Sequence, residues 1–145
     1  MVALTKGRTT PQRAGDNRSG LVAAAAVLFQ GGIVMRNAAG YLVEGQTATG
    51  LVAVGMSPEA IDNAAGANGD ITMEYMPGRF RFENSTGGDA ITVANIGDIA
   101  FVVDDQTVAL TNGGNTRSPA GTIEDVDAQG VWIVFDEAVT RAATA

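Results

Sequence analysis

From Leu21 onward the chain alternates short apolar or alternating runs with small clusters of Gly, Asn and Ala. The runs fall at 22–29, 33–36, 41–44, 51–56, 71–75, 79–83, 90–94, 99–103, 107–110, 121–124 and 131–135. Between them stand AAG, GANG, MPG, STGG, TNGGN and AQG, residues that favour turns because they accept positive φ or bond their own backbone. Strand-length runs divided in this way predict a mainly β protein, a small barrel or sandwich, rather than βαβ units. One helical rival exists at 57–65, where Ser57 would cap and Pro58 would fill the first position, but it amounts to barely two turns.

A weak internal repeat points the same way. GGIVMRNAAGYLV, followed by VGMSPEAIDN and GDITMEY, has an echo in GDIAFVVDDQTVAL, AGTIEDVDA and GVWIVF. Gly31 faces Gly97, Ile33 faces Ile99 and Gly55 faces Gly121; one residue of slip later, Glu59 faces Glu124, Ile61 faces Val126 and Asp62 faces Asp127. Two such halves would each supply strands whose open edges the other covers, the way a small barrel avoids unpaired edges.

Composition sharpens this picture. A chain of 145 residues is one domain in size and buries roughly 70% of its unfolded surface. Its 19 glycines against one Trp, two Tyr and five Phe imply many turns around a thinly aromatic core. There is no Cys and no His, which removes disulfides, thiolate metal sites, the usual general base and the usual pH switch. The longest apolar run, 21–29, is far short of the roughly 20 residues that cross a bilayer, and no signal-peptide pattern is seen, so the expectation is a soluble protein made in a cytosol with no membrane partner.

Charge divides the chain in two. Residues 1–20 carry Lys6, Arg8, Arg13 and Arg18 against Asp16 alone, whereas residues 21–145 carry five arginines against fifteen carboxylates. The expected organisation is an extended basic arm (1–20) before an acidic β-barrel-like body (21–145). The arm has no helical or strand period and cannot by itself offset the entropy of ordering. It reads either as a disordered tail or as a segment that orders against a partner, with Lys6, Arg8, Arg13 and Arg18 as the contact residues. Nucleic acid is not the expected partner, because phosphates would be repelled by the acidic body and the arm has no aromatic residue for stacking.

Candidate chemistry is thin. DVDAQGVWIVFD, from Asp125 to Asp136, places acidic residues and a glycine near the spacing of an EF-hand loop. An EF-hand needs a helix on each side, yet RSPAG precedes the window and VWIVF fills its second half, so 125–130 reads as an acidic turn and calcium as the sharper alternative. Asp104 and Asp105 read as a solvated turn, since neighbours on a strand point to opposite faces. No Ser lies in a nucleophile elbow or has a His to activate it, no Asp-Thr-Gly or Asp-Ser-Gly occurs, and Lys6 is the only lysine, so there is no phosphate loop. No enzyme, metal or cofactor is expected. Trp132 reads first as a core anchor and second as a contact residue. In RFRF, Phe80 and Phe82 share one strand face and Arg79 and Arg81 the other, the arginines pairing with local carboxylates.

The run GLVAVGMSPEAIDNAAGANGDITMEYMPGRFRFENS, and above all VVDDQTVALT with TRSPAGTIEDVDAQGVWI, resembles the tailed-phage and prophage capsid cement or head decoration proteins, the DUF2190-like family, over about residues 22–136. The resemblance implies a small β-barrel or β-tulip-like structural protein of the virion. It would bind the major capsid protein on the outer surface of the expanded shell, often as a homotrimer, with an arm reaching neighbours. It carries no catalytic residue over. The alternative is a surface-displayed β-sandwich module that binds carbohydrate through an exposed face carrying Trp132 or Tyr41.

Overall fold

The computed structural model describes residues 2–13 and 15–145. In chain order its elements are β1 (Arg18–Leu21), β2 (Val27–Leu28), β3 (Ile33–Arg36), β4 (Leu42–Glu44), β5 (Val52–Met56), β6 (Ile61–Asp62), β7 (Thr72–Tyr75), β8 (Gly78–Asn84), β9 (Ile99–Val102), β10 (Thr107–Ala109), β11 (Pro119–Asp127), β12 (Gly130–Phe135) and α1 (Glu137–Thr144). The protein is mainly β. Five strands of the C-terminal half close a barrel in the order β10-β8-β12-β11-β9. Only the β8–β10 pair in it is parallel.

The N-terminal half follows the same circuit with weaker closure. β3 pairs with β4 and β5, and β7 pairs with β1. Met56 and Met76 exchange two backbone hydrogen bonds of 2.9 Å, joining β5 to β7. Val22 bridges Leu42 in parallel, and the Ala23 N–H donates to the Leu42 carbonyl at 2.9 Å, joining β1 to β4. Substituting β1, β3, β4, β5 and β7 for β8, β9, β10, β11 and β12 reproduces the barrel order.

Register matches as well as order. Ile33 pairs with Met56, Val34 with Gly55 and Met35 with Ala53, with a bulge after Val34. Ile99 pairs with Thr122, Ala100 with Gly121 and Phe101 with Pro119, with the bulge at the same step. Gly31 N–H donates to Ser57 O and Gly97 N–H to Ile123 O, each at 2.8 Å. Both glycines have positive φ, 86° and 97°, a conformation that a Cβ disfavours. The sequence repeat is therefore a structural duplication. After the slip, Asp62 accepts from Ala64 N–H at 2.9 Å and Asp127 from Gln129 N–H at 2.7 Å, the same side-chain turn in both halves.

Strand alternation decides what each half buries. In the first unit Val22, Val34, Leu42, Val54, Met73 and Tyr75 fill the interior. In the second, Phe82, Ala100, Val108, Ala120, Val131 and Ile133 do so. Volume is traded between them: Gly20 pairs with Met73 where Phe82 pairs with Val131. A Cβ on Gly20 would lie 2.7 Å from Leu42 Cδ1. On the other face of β3, Ile33 and Met35 join Ala53 in the core of the second unit. The two units thus share β3 and β5 as a common wall.

Several elements depart from the sequence reading. The run 22–29 is broken by Ala25, at φ 62°, and only Val27–Leu28 remains a strand. The helix considered at 57–65 does not form, because Ser57 N and O are bonded to Gly32 and Gly31 and its hydroxyl donates to Glu59 O at 2.6 Å. The run 90–94 is not a strand. The Asn84 amide satisfies both backbone groups of Ile91, at 2.8 and 2.9 Å, and Thr92 and Asn95 cap a short 3-10 turn. The helix α1 was not anticipated; Asp136 caps it by accepting from Val139 N–H at 3.2 Å. Finally, Arg18–Gly20 belong to β1 and so to the body, held by the ladder to β7 rather than by any local signal.

Candidate partner-binding surface

Of the four basic residues expected to bind a partner, Lys6, Arg8 and Arg13 lie on an exposed segment without regular structure. Among the described residues none of them forms an ion pair; the salt bridges run from Arg36, Arg79, Arg117 and Arg141. Arg18 is set apart from them. It sits opposite Tyr75 in β1, and its Nη1 donates to the Gly15 and Asn17 carbonyls at 3.4 and 3.3 Å. It borders a depression of about 370 Å³ shared with Tyr75, Pro77, Asp136 and Glu137.

Trp132 stands on the outer face of the barrel, which corrects the core reading. Its neighbours Val131 and Ile133 are fully buried, and alternation turns the indole outward. There the Arg81 guanidinium lies 5.7 Å from the ring centroid and also donates to Gln129 Oε1 at 2.9 Å. Trp132 Nε1 donates to Asp127 Oδ2 at 3.3 Å. Phe82 and Phe135 meet edge to face inside at 5.8 Å, and Arg79 pairs with Glu124 at 2.7 Å outside, as the RFRF pattern implies.

The acidic window 125–136 is a β-hairpin ending at the N-cap of α1, not a loop between helices. Backbone N–H groups of Gln129 and Gly130 and the Trp132 indole take up the Asp127 carboxylate. These bonds, led by Gln129, hold its pKa below the ordinary carboxylate value, with Arg81 adding to the effect. Asp125 accepts from its own neighbour, Val126 N–H, at 2.8 Å. Among the described residues no three carboxylates converge as a metal site requires. Asp89 is likewise lowered, by the Thr111 hydroxyl first and the Arg117 guanidinium next.

Sequence reasoning missed one surface. Phe29 ends the apolar run 22–29, but Leu28 takes the inward position and Phe29 is 64% exposed. Beside it runs a furrow of about 250 Å³ lined by Val27, Leu28, Phe29, Ala60, Ile61 and Asp62. The available signal is alternation: with Leu28 inside, Phe29 must face out.

The fold and this surface define a mainly β protein, a closed five-stranded barrel beside a duplicated unit of small sheets, with a basic arm that makes no ion pair with the body among the described residues. No family model, curated protein or solved structure matches the chain.

Proposed function

We propose that this chain is a structural virion protein, a capsid cement or decoration protein, which binds the major capsid protein on the outer surface of the expanded shell as a homotrimer. The observation that carries the reading is the separation of the chain into a stiff acidic body and a basic arm that makes no ion pair with it among the described residues. The resemblance over residues 22–136 supports it. A cement protein works by rigidity and multivalence rather than catalysis: three weakly binding arms on one trimer act at high effective concentration. Lys6, Arg8 and Arg13 are the arm's contact residues, toward the capsid or a neighbouring subunit, and Arg18 anchors the arm at the edge of the body.

The test is co-sedimentation of the purified protein with expanded, undecorated shells. Saturation at a fixed copy number with increased heat resistance of the shell is the expected result; absence of saturable binding overturns the role. The outward, hydrogen-bonded Trp132 favours a second reading, a carbohydrate-binding module. Glycan binding abolished by Trp132→Ala, without shell binding, would establish that reading instead.

A further inference from the structure

The arm and the β2–β6 ladder are each incomplete, and in complementary ways. Among the described residues, 2–13 make no hydrogen bond to the body, and Val2 and Leu4 are 93% and 69% exposed. In an extended chain, alternate side chains share a face, so Val2, Leu4, Lys6 and Arg8 form one stripe, two apolar groups followed by two cations. On the body, β2 and β6 pair only with each other, each keeping one strand edge unpaired. Next to that edge lies the Val27–Phe29–Ile61 furrow. Exposed Glu59 and Asp62 flank it, and neither is in an ion pair among the described residues. This two-stranded ladder is absent from the second unit's barrel. Its free edge and apolar furrow are therefore not a requirement of the barrel plan.

We propose that residues 2–8 of one copy add as a strand to the β2–β6 ladder of a second copy, with Val2 and Leu4 on Phe29 and Ile61 and with Lys6 and Arg8 against Glu59 and Asp62. Strand addition of this kind takes its affinity from main-chain hydrogen bonds and its specificity from alternate side chains. The occupant is a second copy on complementarity: the arm's apolar pair Val2 and Leu4 matches the furrow's Phe29 and Ile61, and its cations Lys6 and Arg8 match the exposed carboxylates Glu59 and Asp62. The inference deepens the proposed function by naming the arm's partner, and rests on it only for the setting.

The absence of native cysteine makes the test direct. Two single variants, Leu4→Cys and Ala60→Cys, are mixed under mild oxidation and compared with Leu4→Cys mixed with Ala142→Cys, an exposed control on α1. The expected result is heterodimer forming about tenfold faster in the first mixture, since a docked segment is held at millimolar effective concentration. Reversing charge with Lys6→Glu and Arg8→Glu on the Leu4→Cys chain is expected to remove that advantage. Equal rates in the two mixtures overturn the inference. So does a chain carrying both Leu4→Cys and Ala60→Cys that closes on itself at every dilution. Loss of cross-linking with undiminished shell saturation removes arm exchange and leaves the cement role; cross-linking without shell binding does the reverse.

Discussion

Gly55 and Gly121 occupy the same point in the two units, and each faces a backbone carbonyl of the neighbouring strand, Met76 in the first and Val134 in the second. A Cβ at either place would collide with that oxygen. Backbone cannot swing aside as a side-chain end can, so the close approach of β5 to the Met76 backbone, and of β11 to β12, requires glycine. Gly55→Ala and Gly121→Ala are each expected to destabilise the protein by about 2–3 kcal/mol. Urea denaturation checks this through a lower midpoint at unchanged slope; an unchanged midpoint for either variant would mean that the two sites are not equivalent.

Neighbouring residues on β12 should respond in opposite ways. Ile133→Ala removes a fully buried side chain and is expected to cost about 3 kcal/mol. Trp132→Ala removes an outer-face ring with one hydrogen bond and is expected to cost about 1 kcal/mol. Trp132 is also the sole tryptophan, so acrylamide quenching of its fluorescence in the native protein is expected, and a fully shielded emission would contradict the outward placement.

Acid should act through Asp127 and Asp89. Both carboxyls are held below their ordinary pKa in the folded state. A depressed folded pKa contributes stability above the unfolded value, about 4, and that stability fades as pH falls through the lower folded value. Melting temperature is therefore expected to drop from about pH 4 downward. In Asp127→Asn, which keeps an acceptor for the turn but has no charge to lose, the drop should be shallower; an identical profile would exclude Asp127 as a contributor.

The helix α1 is tied across the whole chain by Glu137, whose carboxylate meets Arg36 at 3.0 Å and Arg141 at 2.9 Å, while Arg36 also donates to the Tyr75 hydroxyl at 2.9 Å. The Arg36–Glu137 pair is partly buried, at 21% and 29% side-chain exposure. A double-mutant cycle with Arg36→Met and Glu137→Gln is expected to give a coupling of about 1 kcal/mol. Additive effects would show that the helix is held by packing alone.

Deleting residues 2–17 removes the chain that precedes β1. Calorimetry is expected to show the melting temperature nearly unchanged, whereas the proposed cement role requires sedimentation with expanded shells to show a loss of at least about tenfold in affinity, since in that role arm contacts multiply over the sites of an oligomer. Equal affinity would remove the arm from the binding mechanism.

Much of the strand pattern was legible because local sterics write it into the chain. Gly31 and Gly97 adopt positive φ, Gly55 and Gly121 sit where a Cβ would strike backbone, and the recurrence of that spacing makes the duplication readable in the sequence. What escaped reading depends on distant partners. RSGL has no apolar alternation and becomes β1 only through β7; Ile91 leaves the sheet because the amide of Asn84 satisfies its backbone. The helix was readable and overlooked: Asp136 as cap, Glu137 in the first turn and Arg141 in the last are ordinary terminal signals. At the surface, the charge of the arm was plain from composition, but the exposure of Phe29 depended on knowing that Leu28 points inward.

The shared wall also sets an order of events during synthesis. Ile33, Met35 and Ala53 emerge from the ribosome well before β8–β12, the strands that cover them. At about 5–20 residues per second the nascent chain carries this apolar strip uncovered for several seconds. A ribosome that stalls within the second unit therefore holds out a sticky, half-covered sheet, and the burden on chaperones falls on unfinished chains rather than on finished ones.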